Sequence, residues 1–115
     1  IDSVVSNGPT ATVSSSTETV IKEKDGQVLD VLDRSICKFA RAPQGFLFGD
    51  LYDVHLKARK ENKHNFIDSI SLMNYYGFKT FTIDGPDENI KITTPRDFFT
   101  FKAYMDMQEI RQIWE

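Results

Sequence analysis

The polar residue with the most suggestive surroundings is Lys91. It lies between Ile90 and Ile92, so in an extended segment the isoleucines face one side and the ammonium faces the other. The segment shortly precedes a predicted helix start at Pro95, and a helix N-terminus and an ammonium both stabilise an anion. Lys91 is therefore a candidate phosphate ligand. The alternative is a solvent-facing lysine, which composition alone favours because lysines are mostly exposed.

Three other side chains have chemistry that suits a phosphorylated substrate. The guanidinium of Arg34 can hold a phosphate with two parallel hydrogen bonds, although an ion pair with Asp33 or Asp30 is the simpler interpretation. Thr19 can donate its hydroxyl to the same anion, but threonine is also common in strands. Asp68 can accept a hydrogen bond from a substrate hydroxyl, and the alternative for it is a helix cap.

Other kinds of site have little support in the sequence. His55 and His64 lack partners at the spacing of metal ligands, and neither a serine nor a cysteine nucleophile lies in a recognisable motif. The sequence also has neither of the glycine-rich loops that bind nucleotide phosphates. We therefore expect no metal or cofactor ligands within these residues, and a nucleotide would have to be bound by sequence outside this chain.

The composition is that of a soluble globular protein of about one domain or part of one. The 115 residues are 40% hydrophobic and 27% charged, with a net charge of −3, which disfavours binding to nucleic acid or to an anionic membrane. Cys37 is the only cysteine, which fits a reducing compartment. The sequence has no apolar run long enough for a membrane span and no signal peptide, so we expect a cytoplasmic protein.

The first third of the chain predicts a short helix, a strand and a hairpin. Residues 1–5 have the pattern of a helix end, which predicts that sequence upstream is missing. A strand is expected over 10–16, and two strands, 18–24 and 27–32, flank Asp25-Gly26, a dipeptide typical of a two-residue hairpin turn. The hairpin has few large apolar residues, so we expect it to project and to bury its apolar face against another chain.

The rest of the chain alternates helices and strands. Proline and glycine predict a loop over 42–46. Thr94, Pro95 and Asp97 predict a capped helix start. The other expected elements are a helix around 51–58, a second helix over 67–76 ended by Gly77, a strand over 78–83 and a last helix from 95 onward. This alternation predicts an α/β fold.

Several motifs in a fixed order resemble one enzyme family. The most specific is Asn89-Ile90-Lys91-Ile92-Thr93-Thr94-Pro95-Arg96-Asp97, and five weaker ones precede it. Those five are Glu18-Thr19-Val20, Asp33-Arg34-Ser35, Ala42-Pro43-Gln44-Gly45-Phe46, Asp68 and Tyr76-Gly77-Phe78. Over nearly its whole length the chain resembles the C-terminal half of the cytidylyltransferases that act on methylerythritol phosphate or ribitol 5-phosphate.

The resemblance implies a fold and a division of the chain. It implies the C-terminal part of a Rossmann-like nucleotidyltransferase sheet domain with a projecting β-hairpin dimerisation arm. Residues 1–115 would form the substrate-binding and dimerisation part, with the arm over 10–34 and an α/β body over 35–115. The N-terminal nucleotide-binding half would be absent, so this chain alone is expected to be inactive.

The resemblance also implies a reaction and roles for residues. These enzymes join CTP to a polyol phosphate and release pyrophosphate by in-line attack, which depends on positioning and charge neutralisation. Lys91 would contact the substrate phosphate as the catalytic residue, and Asp68 would bind substrate. Thr19 and Arg34 would reach across a homodimer into the neighbour's site. Mg²⁺ would be held mainly by the missing half.

The substrate is less clearly implied than the reaction. Ala42 and Ile67 stand where the family usually has threonine, which alters two substrate contacts. The hairpin and Arg41-Ala42-Pro43-Gln44 are more similar to ribitol-phosphate enzymes, so CDP-ribitol formation for capsule or teichoic-acid polymers is the expected function. The alternatives are 2-C-methyl-D-erythritol 4-phosphate cytidylyltransferase of isoprenoid synthesis and a non-catalytic assembly domain. The aromatic Trp114 leaves open a fused polyol-forming reductase.

Overall fold

A computed structural model describes residues 1–114 in two compact units. The first unit is Ile1–Gly85, and the second begins at Pro86. The sequence predicted a different division, with an arm over 10–34 and one body over 35–115. The observed division falls at Gly85-Pro86, a dipeptide that ends the preceding strand because proline cannot donate to a strand ladder.

A three-stranded mixed sheet forms the centre of the first unit. After helix α1 (Asp2–Asn7), strand β1 (Thr10–Ser15) pairs antiparallel with β4 (Lys38–Gly45) and parallel with β5 (Phe81–Asp84). The predicted strand over 10–16 is confirmed. Its side chains are almost all buried because it has a neighbour on each side, so β1 belongs to this sheet and the predicted arm of 10–34 begins too early.

The buried hydroxyls of β1 form hydrogen bonds with β4. The Thr12 hydroxyl donates to the Pro43 carbonyl at 2.8 Å, and the Arg41 Nε donates to the Ser14 hydroxyl at 2.9 Å. A buried hydroxyl without a partner is costly, and none of the buried side-chain polar atoms among the described residues lacks one. These bonds fix the position of β4 along β1.

Strand β4 corrects the prediction of a loop over 42–46. Ala11 pairs with Gln44 and Thr12 pairs with Arg41, so Ala42 and Pro43 form a bulge that the ladder bypasses. Proline is tolerated there because a bulge on a strand with one neighbour needs no N–H from it. The dipeptide therefore bends the strand instead of ending it.

The predicted hairpin is confirmed as a separate two-stranded sheet. Strands β2 (Ile21–Lys24) and β3 (Gln27–Val31) flank Asp25 and Gly26, whose φ angles of 52° and 79° are those of the tight turn that suits a twisted hairpin. Every residue of both strands is exposed. The hairpin therefore has no core of its own within the first unit.

Two helices provide the apolar core of the first unit. Helix α2 (Phe48–Lys60) and helix α3 (Ser69–Tyr75) bury four side chains against one another, and partly buried aromatic residues surround them. The four are Val54, Ala58, Leu72 and Met73. The helix period places Val54 and Ala58 on the same face, as the sequence predicted.

Two predicted boundaries in this region are wrong by a few residues. Ile67 was expected on the apolar face of the second helix, but that helix begins at Ser69 and the Ile67 side chain is 97% exposed. Strand β5 begins at Phe81 rather than at Phe78. Gly77 ends α3 as predicted, with φ at 84°, a conformation that favours glycine.

The second unit consists of a turn-rich segment followed by helix α4 (Pro95–Trp114). The predicted start is confirmed: the Asp97 carboxylate accepts from the Thr94 N–H at 2.7 Å, and the Thr94 hydroxyl lies 3.4 Å from the Asp97 N–H. This reciprocal pair is a capping box. None of the helices within residues 1–114 is both long and apolar enough to span a bilayer.

Candidate substrate-binding site

Arg34 lies at the base of the hairpin and has no carboxylate partner in the described part of the chain. It opens a short 3₁₀ turn, Arg34–Ile36, whose N-cap is Asp33. The Asp33 carboxylate accepts from the Ser35 hydroxyl at 2.7 Å and from the Ser35 N–H at 2.9 Å, and these bonds lower the pKa of Asp33. The ion pair with Asp33 or Asp30 that the sequence left open is not formed. The guanidinium is therefore available to a ligand.

Two hydrogen bonds bring the segments that carry Thr19 and Arg34 to the same end of the hairpin. The Arg34 Nη1 donates to the Thr17 carbonyl at 3.3 Å, which uses one of five N–H donors. The Leu32 N–H donates to the Val20 carbonyl at 2.9 Å, one residue beyond Thr19. These two bonds hold the segment that contains Thr19 against the segment that ends at Arg34.

A pocket of about 460 Å³ opens beside Arg34 at the carboxyl end of β1. Lys38, the first residue of β4, lies in its wall, and its ammonium donates to the Ser15 hydroxyl at 3.0 Å. The lining residues are Ser15, Ser16, Asp33, Arg34, Ser35, Cys37 and Lys38. Two cations and three serines around one volume make a polar pocket whose chemistry suits an anion.

Asp68 lies in a different hydrogen-bonded cluster at the start of α3. One carboxylate oxygen accepts from the Ser71 N–H at 2.8 Å and from the Ser71 hydroxyl at 2.6 Å, and the other accepts from Gln44 Nε2 at 2.9 Å. Gln44 also accepts from the Ile70 N–H at 3.2 Å. Asp68 is therefore the N-cap of α3, the alternative that the sequence left open.

The pKa of Asp68 reflects these contacts. Partial burial raises it, but the donors from Ser71 and Gln44 together lower it by more, so the pKa lies below its ordinary value. The carboxylate stays ionised near neutral pH and holds the start of α3 to the end of β4. The predicted contact with a substrate hydroxyl stays a prediction.

The sheet separates the two clusters within one chain. Strand β4 runs antiparallel to β1, so Lys38 pairs with Ser15 at one end and Gln44 pairs with Ala11 at the other. Lys38 and Gln44 are six positions apart along the strand, which corresponds to roughly 20 Å. Arg34 and Asp68 of the same chain therefore belong to different sites.

Lys91 lies in the second unit, in a segment that the sequence predicted as extended. Residues 89–93 have no helix or strand, and the Ile90 N–H donates to the Glu88 carbonyl at 2.8 Å in a turn. Within this unit as described, the exposed Lys91 ammonium makes no hydrogen bond or ion pair. The Asp97 carboxylate also accepts from the Thr93 N–H at 3.0 Å, so the capping box restrains the chain two residues after Lys91.

A larger cavity lies between α2 and α3, with a volume of about 580 Å³. Its lining combines apolar and aromatic side chains with six polar ones: His55, Arg59, Lys63, His64, Asp68 and Ser69. The Lys63 ammonium lies 4.6 Å from the centre of the Tyr75 ring and donates to the Tyr75 hydroxyl. The candidate phosphate site is assigned to the smaller pocket because that pocket is lined by Arg34, the predicted phosphate ligand.

Sequence reasoning missed Lys38 as a member of the pocket beside Arg34. The missing information was the pairing of Lys38 with Ser15, which depends on the register of β4 and not on any local motif. Among residues 1–114, moreover, no group of three or more histidine, cysteine or acidic side chains is placed to hold a metal ion. The described side chains therefore provide cations and hydroxyls rather than metal ligands.

Comparison with known proteins identifies the family. The family model described as IspD: 2-C-methyl-D-erythritol 4-phosphate cytidylyltransferase matches residues 5–107. This chain belongs to the IspD family. The resemblance drawn from the motifs is thereby confirmed.

The relatives of this IspD-family chain are named for two different substrates. The chain is 44% identical over 115 residues to the ribitol-5-phosphate cytidylyltransferase of Vibrio parahaemolyticus, covering 99% of this chain and 48% of that protein. It is 36% identical over 89 residues to the 2-C-methyl-D-erythritol 4-phosphate cytidylyltransferase of Syntrophotalea carbinolica. That match covers 77% of this chain and 38% of that protein. The chain spans about half the length of the curated relatives it matches.

A solved structure confirms the α/β fold of the IspD-family chain. The crystal structure of 4-diphosphocytidyl-2C-methyl-D-erythritol synthase from Anaerococcus prevotii matches with a TM-score of 0.79 at 24% identity, over 91% of this chain and 49% of that one. At this identity the likeness shows the Rossmann-like nucleotidyltransferase fold and nothing about substrate. The role of the hairpin as a dimerisation arm stays a prediction.

Proposed function

We propose that this chain is the substrate-binding part of a cytidylyltransferase that makes CDP-ribitol from CTP and D-ribitol 5-phosphate. The observation that carries the proposal is the 44% identity, over 99% of the chain, to a protein named ribitol-5-phosphate cytidylyltransferase. The available guanidinium of Arg34 and the pocket beside it support the binding of a phosphorylated substrate. CDP-ribitol would serve capsule or teichoic-acid polymers, and the proposed location is the cytoplasm.

In the proposed reaction an oxygen of the ribitol phosphate attacks the α-phosphorus of CTP. A new phosphorus–oxygen bond forms as the bond from the α-phosphorus to the bridging oxygen breaks, and that oxygen leaves with pyrophosphate. No side chain of this chain needs to form a covalent bond. The contribution of the protein is to position two phosphates and to neutralise their charge.

Lys91, Arg34 and Thr19 carry that contribution in this proposal. The Lys91 ammonium has no partner within its own described unit, which leaves it available to a substrate phosphate, and the Thr94–Asp97 capping box restrains the segment that carries it. Arg34 and Thr19 share the base of the hairpin and would bind the ribitol phosphate together. Mg²⁺ does not fit the side chains described here, so it would be held by residues outside this chain.

The hairpin would carry Arg34 and Thr19 into the site of a second copy. Ile21 and Val31 face each other across the hairpin and are 47% and 60% exposed. Leu29, which the ladder skips at a bulge, is 62% exposed. Because an isolated two-stranded hairpin is only marginally stable in water, a homodimer that buries this face explains how it can be ordered.

The experiment is an assay of pyrophosphate release by the full-length gene product with CTP and Mg²⁺. D-ribitol 5-phosphate and 2-C-methyl-D-erythritol 4-phosphate are compared as second substrates. The proposal predicts a kcat/KM at least about 10-fold higher for D-ribitol 5-phosphate. The reverse preference would assign the chain to the isoprenoid reaction, for which the 36% identity to the Syntrophotalea carbinolica protein is the supporting observation.

The same assay tests the proposed role of Lys91. Lys91→Ala should lower kcat by about 10²- to 10³-fold with unchanged thermal stability, because the lysine is exposed and would act only on developing charge. Lys102→Ala is the matched control, since Lys102 lies in the same unit in an exposed ion pair with Asp106. Normal turnover by the Lys91 variant would contradict the role.

Binding of D-ribitol 5-phosphate without any pyrophosphate release from the wild type would instead indicate a non-catalytic assembly domain.

A further inference from the structure

Lys38 is the cation of the pocket that the proposed function leaves without a role. It lines the pocket together with Arg34, and no motif of the sequence pointed to it. Its ammonium has three donors, of which one reaches the Ser15 hydroxyl at 3.0 Å. The remaining donors determine what Lys38 can bind.

The ion pair that Lys38 makes is a weak one. The Asp84 carboxylate lies 3.9 Å from the ammonium, which is too far for a hydrogen bond. The side chains of Lys38 and Asp84 are 39% and 88% exposed, so water screens their attraction. Asp84 also does not line the pocket, whereas Lys38 does. An anion inside the pocket can therefore replace Asp84 without leaving a buried charge unpaired.

The 3₁₀ turn explains how Lys38 and Arg34 come to line one pocket. The Cys37 N–H donates to the Arg34 carbonyl at 3.2 Å, which closes the turn just before β4 begins. The only carboxylate in the lining belongs to Asp33, which accepts hydrogen bonds from the N–H and the hydroxyl of Ser35. The hydroxyl of Ser15, which Lys38 already contacts, adds a donor at the same wall.

We infer that Lys38 is a second ligand of the substrate phosphate, which it holds together with Arg34 in this pocket. The ligand class is a phosphate monoester, whose two negative charges match the guanidinium and the ammonium. This inference rests on the proposed function, since the phosphate is that of the polyol phosphate. The triphosphate of CTP is the other source of the same chemistry, and the experiment distinguishes the two.

The test compares Lys38→Met with the wild type in the full-length protein. KM is measured separately for D-ribitol 5-phosphate and for CTP. Loss of one charge-assisted hydrogen bond predicts a rise of about 10- to 100-fold in the KM for D-ribitol 5-phosphate, with the KM for CTP unchanged. A rise confined to CTP, or no rise in either KM, overturns the inference.

Three matched variants separate phosphate binding from a structural role. Lys38→Arg keeps the positive charge and should retain a KM within about 3-fold of the wild type. Asp84→Asn removes the ion pair and keeps Lys38, so it should leave KM unchanged or lower it. Lys102→Met removes the other exposed lysine of an ion pair and should change neither KM. A loss of affinity in Asp84→Asn equal to that in Lys38→Met would overturn the inference in favour of the ion pair.

Direct titration keeps this inference distinct from the proposed function. D-ribitol 5-phosphate is titrated calorimetrically into the full-length wild type and into Lys38→Met. If the wild type binds it but releases no pyrophosphate, and the variant binds at least about 10-fold more weakly, the proposed function fails and the phosphate site stands. If the wild type turns over and the variant binds equally well, the phosphate site fails and the proposed function stands. Absence of binding by the wild type overturns both.

Discussion

The two ends of strand β4 each carry a polar cluster, and the clusters differ in how their polar atoms are used. At the Gln44 end, both carboxylate oxygens of Asp68 accept hydrogen bonds from protein donors. At the Lys38 end, Arg34 makes one hydrogen bond of 3.3 Å, and Lys38 makes one hydrogen bond and a distant ion pair. A cluster whose polar atoms have protein partners stabilises the fold, and one with spare donors beside a pocket can bind a ligand.

This difference explains why two residues that were both candidate substrate ligands in the sequence are now given different roles. Arg34 and Asp68 each had a structural and a functional interpretation before the fold was known. The hydrogen bonds favour the structural one for Asp68, as the cap of α3, and leave the functional one open for Arg34. Variants at the two ends should therefore affect different measurements. Two experiments test this in order of expected effect, and a third extends the comparison to the capping box of the second unit.

The largest effect is expected from Arg34→Met, which removes the guanidinium and keeps an unbranched side chain. The loss of two parallel hydrogen bonds to a phosphate predicts a fall of about 10²-fold or more in kcat/KM for D-ribitol 5-phosphate. The free energy of unfolding should change by less than about 0.5 kcal/mol, because Arg34 is exposed and lacks an ion pair in the described chain. Steady-state kinetics and chemical denaturation measure the two quantities. Unchanged kinetics with a large loss of stability would show that Arg34 has a structural role, contrary to the comparison between the two ends of β4.

The opposite pattern is expected from Asp68→Ala. Removal of the N-cap of α3 should lower the free energy of unfolding by about 1–2 kcal/mol, since the Ser71 N–H and Gln44 lose their acceptor. Asp68→Ser is the matched control, because serine is also a good N-cap. If the cluster is structural, serine restores most of the stability and the KM for D-ribitol 5-phosphate stays near the wild-type value. Restored stability with a KM that remains raised would show the predicted contact with a substrate hydroxyl.

The smallest effect is a dependence on pH in the second unit. Hydrogen bonds from the Thr94 N–H, the Thr93 N–H and the Thr94 hydroxyl lower the pKa of Asp97. Because the pKa of Asp97 is lower in the folded state, its carboxylate stabilises the fold fully above the ordinary pKa of about 3.9. That stabilisation is lost as the pH falls through the folded-state pKa. Far-ultraviolet circular dichroism should therefore show a slight loss of helix below about pH 4 that is absent in Asp97→Ala. Identical acid profiles for the two proteins would show that the capping box contributes nothing measurable.

Local sequence signals predicted the parts of the fold that depend on a few adjacent residues. Asp25-Gly26 predicted the hairpin turn, and Thr94 with Asp97 predicted the capping box, because each rule concerns residues within one turn. The motif order predicted the family and the α/β fold. The strand at β4 was missed because Pro43 and Gly45 are typical of loops, and only pairing with β1 shows that a bulge accommodates the proline.

The candidate site was predictable only in part for the same reason. Arg34 and Thr19 could be named because they lie in family motifs. The membership of Lys38 depends on the register that places it opposite Ser15, a residue 23 positions earlier in the chain. The sequence shows neither the register nor the closing of the 3₁₀ turn before β4. The same limit applied to Asp68, whose bond to Gln44 joins residues 24 positions apart.

A crystal structure of the full-length protein with D-ribitol 5-phosphate bound tests the central claim most directly. The claim is that the Lys38 end of β4, and not the Gln44 end, receives the phosphate. The expected result is a phosphate oxygen within about 2.7–3.2 Å of both the Arg34 guanidinium and the Lys38 ammonium, with the Asp68–Ser71 and Asp68–Gln44 hydrogen bonds unchanged. A phosphate bound away from Arg34 and Lys38, with the Asp68 cluster rearranged around the substrate, would contradict it.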